Sequence, residues 1–300
     1  MTRMDLRGVF APIPTPFDRN EQLDESRLKS ACTRWAASPL NGIVVLGSTG
    51  EAVLLDEEES DRAVAVARDA WPAGRPFIVG TGRESTAATI HATRRAASLG
   101  ADAVLVRTPG FYKAQMNADV FVRHYTAVAD ASPVPVLLYN FTAVTGVNLP
   151  SVAVSTLSAH PNVIGVKESS GDVAQIAEFV RGSRAGFNVL AGSSTTFYAA
   201  LGVGAVGGVL ALSCVLPDAC LRLLDLARGG KDAEASALQM RLMPMAKLVG
   251  SLHGIAGLKA ALKLVGCDVG DPRSPLAPVS DATVAVLREA LVSFEEVALV

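Results

Sequence analysis

Neither sign of charge predominates in this 300-residue chain. Its 27 Lys and Arg stand against 29 Asp and Glu, a net charge of −2 at pH 7. That excludes the broad basic surface that nucleic acid or an anionic membrane would need. No apolar run approaches the roughly 18 residues of a membrane span, because Gly or a charge interrupts each one first. Met1 to Asp5 lead into no apolar stretch of the signal-peptide kind, so a cytoplasmic location is expected. Cysteine is sparse: Cys32, Cys214, Cys220 and Cys267 are scattered, form no CxxC and do not cluster with histidine. They read as buried thiols in a reducing compartment. No phosphate-binding Walker loop, low-complexity tract or Gly/Ser/Pro-rich linker is present.

Apolar residues make up half the chain and charged ones only 19%, so a sizeable core is expected. Short apolar runs recur at Val9 to Pro14, Gly42 to Leu46, Phe77 to Gly80, Ala103 to Val106, Val134 to Leu138, Val163 to Val166, Phe187 to Ala191 and Val206 to Leu210. Segments of helical character separate them. Asp24 to Ser38 places Leu28, Ala31, Cys32 and Trp35 at helical spacing. Asp56 to Ala70 opens acidic, as a helix N-terminus favours. Ser85 or Thr86 can cap a helix that ends before Gly100, and Pro150 suits a first helical turn.

Continuous apolar strands alternating with helices imply a parallel sheet covered by helices. Eight such units predict a (β/α)8 TIM barrel, with a doubly wound sheet as the alternative. Residues beyond about 215 are almost wholly helical in pattern. The expected division is a barrel over residues 1–225 and a helical region over 226–300 packed on it.

In such barrels the reactive groups sit at the C-terminal ends of the strands. Polar residues of reactive type fall there: Gly47-Ser48-Thr49-Gly50-Glu51, Thr108 to Tyr112, Tyr139-Asn140 and Lys167. Burying an ammonium is costly and favours the free amine, the nucleophile that a carbonyl compound requires. Taken alone, Lys167 fits equally a lysine that reaches solvent or pairs with a carboxylate. Ser48-Thr49 alone fits a helix cap, and Tyr139 alone fits packing. Lysine, tyrosine and hydroxyls on one rim suit amine chemistry on an oxo acid, whose carboxylate the glycine-flanked turn could hold. Gly202 to Gly207 matches GxGxxG but precedes a strand, so the context of a dinucleotide site is absent. His91, His124, His160 and His253 are far apart, lack metal-ligand spacing and read mostly as surface or helix-face residues. Arg94-Arg95 reads as a solvated helix face.

With these residues assembled, the chain resembles the dihydrodipicolinate synthase / N-acetylneuraminate lyase superfamily of class I aldolases over nearly its whole length. Gly42 to Glu51, with Glu59 downstream, is similar to one signature of that family; Tyr139-Asn140 and Val163 to Ser169 are similar to the other. Within the superfamily the 4-hydroxy-2-oxoglutarate aldolases are the most similar group. Glu84 to Thr86, His124-Tyr125 through Val136, Thr145 to Pro150, Val189 to Ser193 and Gly204 to Val209 carry that likeness.

The resemblance implies that Lys167 forms a Schiff base with a 2-oxo acid, pyruvate or a pyruvate-containing substrate. It implies that Tyr139 moves protons, that Ser48 and Thr49 hold the carboxylate, and that Thr49 helps relay protons. Gly47, Tyr112 and Val209 complete the expected substrate-binding set. The protonated imine serves as electron sink, so no metal or organic cofactor is expected. A homotetramer is the assembly implied. Three positions depart from the family pattern. Thr142 stands where proline is usual. Val144 stands where dihydrodipicolinate synthases have an arginine for the aldehyde's carboxylate, which argues against aspartate semialdehyde. Phe111 stands where those synthases lend a tyrosine across a subunit interface, with Tyr112 beside it.

The leading expectation is cleavage of 4-hydroxy-2-oxoglutarate to pyruvate and glyoxylate. Dihydrodipicolinate synthase, a 2-keto-3-deoxy sugar acid aldolase or dehydratase, and a non-catalytic pyruvate-binding regulator are the alternatives.

Overall fold

The computed structural model describes residues 4–298. Eight strands form it: β1 (Val9–Pro12), β2 (Gly42–Val45), β3 (Phe77–Gly80), β4 (Ala103–Arg107), β5 (Val136–Asn140), β6 (Val163–Glu168), β7 (Asn188–Ala191) and β8 (Gly207–Val209). Each is parallel to the next, and β8 pairs back onto β1, so the sheet closes. Closure excludes the doubly wound alternative and establishes the TIM barrel. The helices, in chain order, are α1 (Glu25–Ala36), α2 (Glu57–Ala70), α3 (Thr86–Ser98), α4 (Ala118–Ala131), α5 (Thr142–Thr145), α6 (Ser151–Ser158), α7 (Val173–Gly182), α8 (Phe197–Gly202), α9 (Pro217–Arg228), α10 (Asp232–Lys247), α11 (Gly254–Leu264) and α12 (Asp281–Ala298). The last two residues of the expected helical region, 299 and 300, lie outside the described residues. Among the described residues no helix is long and apolar enough to cross a membrane.

Local chemistry sets the helix starts. Asp24, Asp56 and Ser85 each accept a hydrogen bond from a first-turn backbone N–H. At α2 the cap is reciprocal, because Glu59 reaches back to the Asp56 N–H at 3.1 Å. Strand residues alternate between two apolar environments. One cluster fills the barrel, including Phe10, Val44, Ile78, Leu105, Leu137, Tyr139, Leu190 and Val209. The larger cluster lies between the strands and the helices, where Val9, Val45, Val106, Leu138 and Val166 meet Trp35, Phe121, Phe179 and Leu223. Both faces of every strand are therefore dry, which is why the sequence shows continuous apolar runs and not alternation.

Strand ends fall where the sequence predicts them, at Tyr139-Asn140 and within one residue of Lys167, while β5 starts two residues later than its apolar run. β5 begins at Val136 and runs through Tyr139 and Asn140, and β6 continues through Lys167 and Glu168. Tyr139 and Lys167 therefore stand on strand, whereas Ser48 and Thr49 lie in the turn beyond β2. In the GxGxxG segment, Gly207 begins β8 itself. A Cβ there would stand 2.1 Å from the Gly8 carbonyl oxygen, so close backbone packing explains that glycine without a cofactor.

The four cysteines are buried, and burial pushes the Cys32 and Cys220 thiols up to about 12. Among the described residues no group of three or more His, Cys, Asp or Glu could hold a metal ion. His124 is not a surface residue but lies buried on α4, with Nδ1 2.9 Å from Thr86 Oγ1. Burial lowers its pKa from 6.5 to about 4, against an opposing pull from Glu84. Below about pH 6.5 the unfolded chain therefore binds a proton that the folded chain refuses. Stability should fall as pH drops from about 6.5 towards 4, by at most about 1.4 kcal/mol per pH unit from this group. Denaturant unfolding across that window should show a shallower slope for His124→Gln than for the native chain; equal slopes would refute the assignment.

Candidate active site

The turn after β2 is built by backbone constraint. Leu46 has φ +55°, a left-handed conformation that a branched residue adopts only when its surroundings impose it. Its carbonyl oxygen presses on β3, where a Cβ on Gly80 would stand 1.9 Å away. The chain thus turns sharply into Gly47, Ser48 and Thr49. Glu51, also left-handed at φ +53°, ends the turn. Thr15 Oγ1 donates to the Gly50 carbonyl at 2.6 Å. The Glu51 carboxylate is fully buried against Lys259 of α11, with Nζ to Oε1 2.7 Å, while Oε2 accepts from the Arg273 backbone N–H at 2.8 Å. Burial lowers the Lys259 pKa, and Glu51 opposes that shift.

β5 and β6 place Tyr139 and Lys167 as register partners, and Leu190 of β7 continues the same layer. Tyr139 is 4% exposed and Lys167 3%, so both belong to the barrel interior. Lys167 Nζ stands 4.3 Å from the centroid of the Tyr139 ring. The Tyr139 hydroxyl lies 2.8 Å from Ser48 Oγ. Lys167, Tyr139 and Ser48 are thus linked across β6, β5 and the turn after β2. Among the described residues no carboxylate lies within ion-pairing distance of Lys167. The solvent-reaching and carboxylate-paired readings of this lysine are therefore both excluded.

Asn140, fully buried, holds the loop beyond β5. Its Nδ2 donates to Asn148 Oδ1 at 2.7 Å and to Glu168 Oε2 at 2.6 Å, and its Oδ1 accepts from the Leu149 N–H at 2.9 Å. Burial raises the Glu168 pKa despite the hydrogen bonds it accepts. On the β4 side, Arg107 Nη1 pairs with Glu84 Oε1 at 2.7 Å, while Glu84 Oε2 accepts from the Gly110 and Phe111 N–H groups. Burial pushes Glu84 up, but Arg107 and the two amides outweigh it and hold the carboxyl below its usual range.

A cavity of about 900 Å³ opens over this end of the barrel. Gly47, Ser48 and Tyr139 line it, together with Arg83, Glu84, Arg107, Phe111, Lys113, Val144 and Thr145. Lys167 is buried behind that lining against Tyr139. Thr49 sits half-buried in the same turn as Ser48. Val209 lies in the apolar cluster under Tyr139. Tyr112 is outside the lining, 70% exposed, with its ring edge-on to Phe111 at 5.1 Å. The structure therefore brings Gly47, Ser48, Tyr139 and Lys167 together, puts Thr49 and Val209 at their margin, and leaves Tyr112 outside. Sequence reasoning assigned no role to Lys259, Arg83 or Lys113. Lys259 had a signal: it stands one residue after Leu258 and three before Leu262 in an otherwise apolar helix.

Comparison with known proteins shows the family. Residues 5–293 match the Dihydrodipicolinate synthetase family. A 4-hydroxy-tetrahydrodipicolinate synthase of Exiguobacterium sp. is 36% identical over 97% of this chain and 98% of its own. The Emericella nidulans protein named "Probable 4-hydroxy-2-oxoglutarate aldolase, mitochondrial" is 35% identical over 94% of this chain and 93% of its own. The crystal structure of a dihydrodipicolinate synthase from Bacillus anthracis superposes with a TM-score of 0.92 at 28% identity, covering 97% of this chain and 99% of that one. The chain belongs to the dihydrodipicolinate synthetase family and is a lyase.

Proposed function

We propose that the protein is a Schiff-base aldolase that cleaves 4-hydroxy-2-oxoglutarate to pyruvate and glyoxylate. The observation that carries the chemistry is the contact of buried Lys167 Nζ with the Tyr139 ring, 4.3 Å away, while the Tyr139 hydroxyl reaches Ser48 at 2.8 Å. Ser48 and Thr49 hold the substrate's C1 carboxylate. Lys167 Nζ adds to the C2 carbonyl, and the carbinolamine loses water to give a protonated imine. Tyr139 takes the proton of the C4 hydroxyl as the C3–C4 bond breaks. The bond's electron pair moves into the enamine, glyoxylate leaves, C3 is reprotonated, and water releases pyruvate. The imine nitrogen is the electron sink throughout, so this reading requires no cofactor. A homotetramer in the cytoplasm belongs to the same reading.

The test is pyruvate release from 4-hydroxy-2-oxoglutarate, followed with lactate dehydrogenase. Tyr139→Phe should lower kcat by about 10²–10⁴, the usual range for a lost acid–base group. A phenylalanine variant with native kcat would remove Tyr139 from the mechanism. The second reading, 4-hydroxy-tetrahydrodipicolinate synthase, is favoured by the name of the Exiguobacterium relative. Val144 on the cavity wall, in place of the arginine of those synthases, opposes it. Condensation of pyruvate with aspartate semialdehyde, and no release from 4-hydroxy-2-oxoglutarate, would establish that second reading.

A further inference from the structure

The cavity wall carries more positive charge than its own carboxylates neutralise. Three cationic side chains line it, Arg83, Arg107 and Lys113, and two carboxylates, Glu51 and Glu84. Both carboxylates are committed elsewhere: Glu51 is held by Lys259 and Glu84 by Arg107. Arg83 and Lys113 are left without a carboxylate partner among the described residues.

The surroundings of these two cations differ. Arg83 is half-buried, and its Nη1 donates to the Gly82 carbonyl at 3.2 Å. It also borders a small second cavity lined by Glu57, Asp61 and Arg95, where both carboxylates pair with Arg95. Its own charge is disfavoured by burial and by the neighbouring Arg107 and Arg95, against a pull from Glu57. Lys113 is placed differently. Its side chain lies along the loop after β5: a Cβ on Gly146 would stand 2.6 Å from Lys113 Nζ and 2.8 Å from its Cε. That loop carries Val144 and Thr145 on the cavity wall, immediately beyond the strand that bears Tyr139. On the aldolase reading, a substrate held by its C1 carboxylate at Ser48 and by C2 at Lys167 would turn its far end into the cavity, whose wall includes Lys113, Val144 and Thr145.

We infer that Lys113 is the anchor for the distal carboxylate of a dicarboxylic 2-oxo acid, taking over at the edge of this loop the charge that Val144 does not supply. This deepens the aldolase reading and rests on it. A flexible ammonium on one loop lying across another tolerates more than one chain length. The ligand class is therefore any 2-oxo acid with a second carboxylate beyond C4, and monocarboxylic analogues are disfavoured.

The test is competition for the pyruvate adduct at Lys167, trapped with borohydride and read by mass spectrometry. The competitors are 2-oxoglutarate and 2-oxopentanoate, which have the same length and differ in the distal carboxylate. In the native protein 2-oxoglutarate should suppress the pyruvate adduct at a concentration about 10–100-fold lower than 2-oxopentanoate does, the value of one charge-assisted contact. Lys113→Met should bring that ratio to within about twofold of one, Lys113→Arg should keep most of it, and Arg83→Gln should keep it. A native ratio near one, a ratio that survives in Lys113→Met, or a ratio lost in Arg83→Gln instead would overturn the assignment. Failure of the aldolase reading itself looks different: the native protein would then release no pyruvate from 4-hydroxy-2-oxoglutarate, whatever the ratio in the adduct competition.

Discussion

Lys167→Ala is expected to lower pyruvate formation by a factor on the order of 10⁴ or more and to eliminate the borohydride-trapped adduct. The size follows from the role. An alanine leaves no amine to add to C2, and without the protonated imine the C3–C4 electron pair has nowhere to go. Ser48, Thr49 and Tyr139 would still bind a 2-oxo acid, so affinity measured by ligand protection should fall far less than the rate. The fold should survive. Lys167 is buried against the Tyr139 ring with no carboxylate partner among the described residues, so its removal strands no opposite charge. Intact-protein mass spectrometry after trapping reads the adduct, and thermal unfolding reads the fold. A variant that folds and either turns over at the native rate or still carries the adduct would remove Lys167 from the mechanism.

The largest loss of stability is expected from Lys259→Met. Lys259 and Glu51 form a buried pair 2.7 Å apart, and their side chains are 2% and 0% exposed. Lys259 also donates to the Thr15 carbonyl at 2.8 Å and the Asp271 carbonyl at 3.0 Å, and it stands 4.6 Å from the Phe17 ring centroid. Removing the ammonium leaves a carboxylate in a dry site with only a backbone N–H to accept from. Breaking one side of such a pair costs about 3–5 kcal/mol, whereas replacing both partners by apolar residues is often far milder. Lys259→Met should therefore lose about 3–5 kcal/mol in denaturant unfolding, and Lys259→Met with Glu51→Leu should recover part of it. The double variant will not recover all of it, because Glu51 also holds the Arg273 N–H and sits at positive φ. The same pair anchors the turn that carries Ser48 and Thr49, so the single variant should also raise KM for the 2-oxo acid. Native stability in Lys259→Met would show that the pair contributes little beyond what it costs to desolvate.

Arg273 extends this knot to the surface of α2. It forms a two-pronged pair with Glu59, Nη2 to Oε1 at 2.6 Å and Nη1 to Oε2 at 2.8 Å, and its guanidinium lies 4.2 Å from the Phe17 ring centroid. Glu59 therefore serves twice, as the capping partner of Asp56 and as the dock for a segment more than two hundred residues later. The C-terminal helical region is thus tied to the site through the turn after β2, not only packed against the barrel wall.

What was legible in the sequence, and what was not, divides along the range of the interactions. The strands, the helix starts near Asp24, Asp56 and Ser85, and the position of Lys167 at the end of a buried strand follow from neighbours a few residues apart, because apolar runs and helix-start signals act locally. The polar residues after β2, at the end of β5 and in β6 could be placed on one rim from chain order alone, since parallel strands of a barrel all end on the same side. Distances could not. Tyr139 meets Ser48 across 91 residues, and Lys259 meets Glu51 across a still longer stretch, so no local pattern records either contact. Phe111 and Tyr112 are adjacent and both aromatic, yet one lines the cavity and the other does not, a choice made by the packing of the loop. Sequence by itself determined which elements form and which chemistry stands at their ends. Only the tertiary structure decided which charges neutralise each other and which are left facing the cavity, because that balance depends on side chains brought together by closure of the barrel.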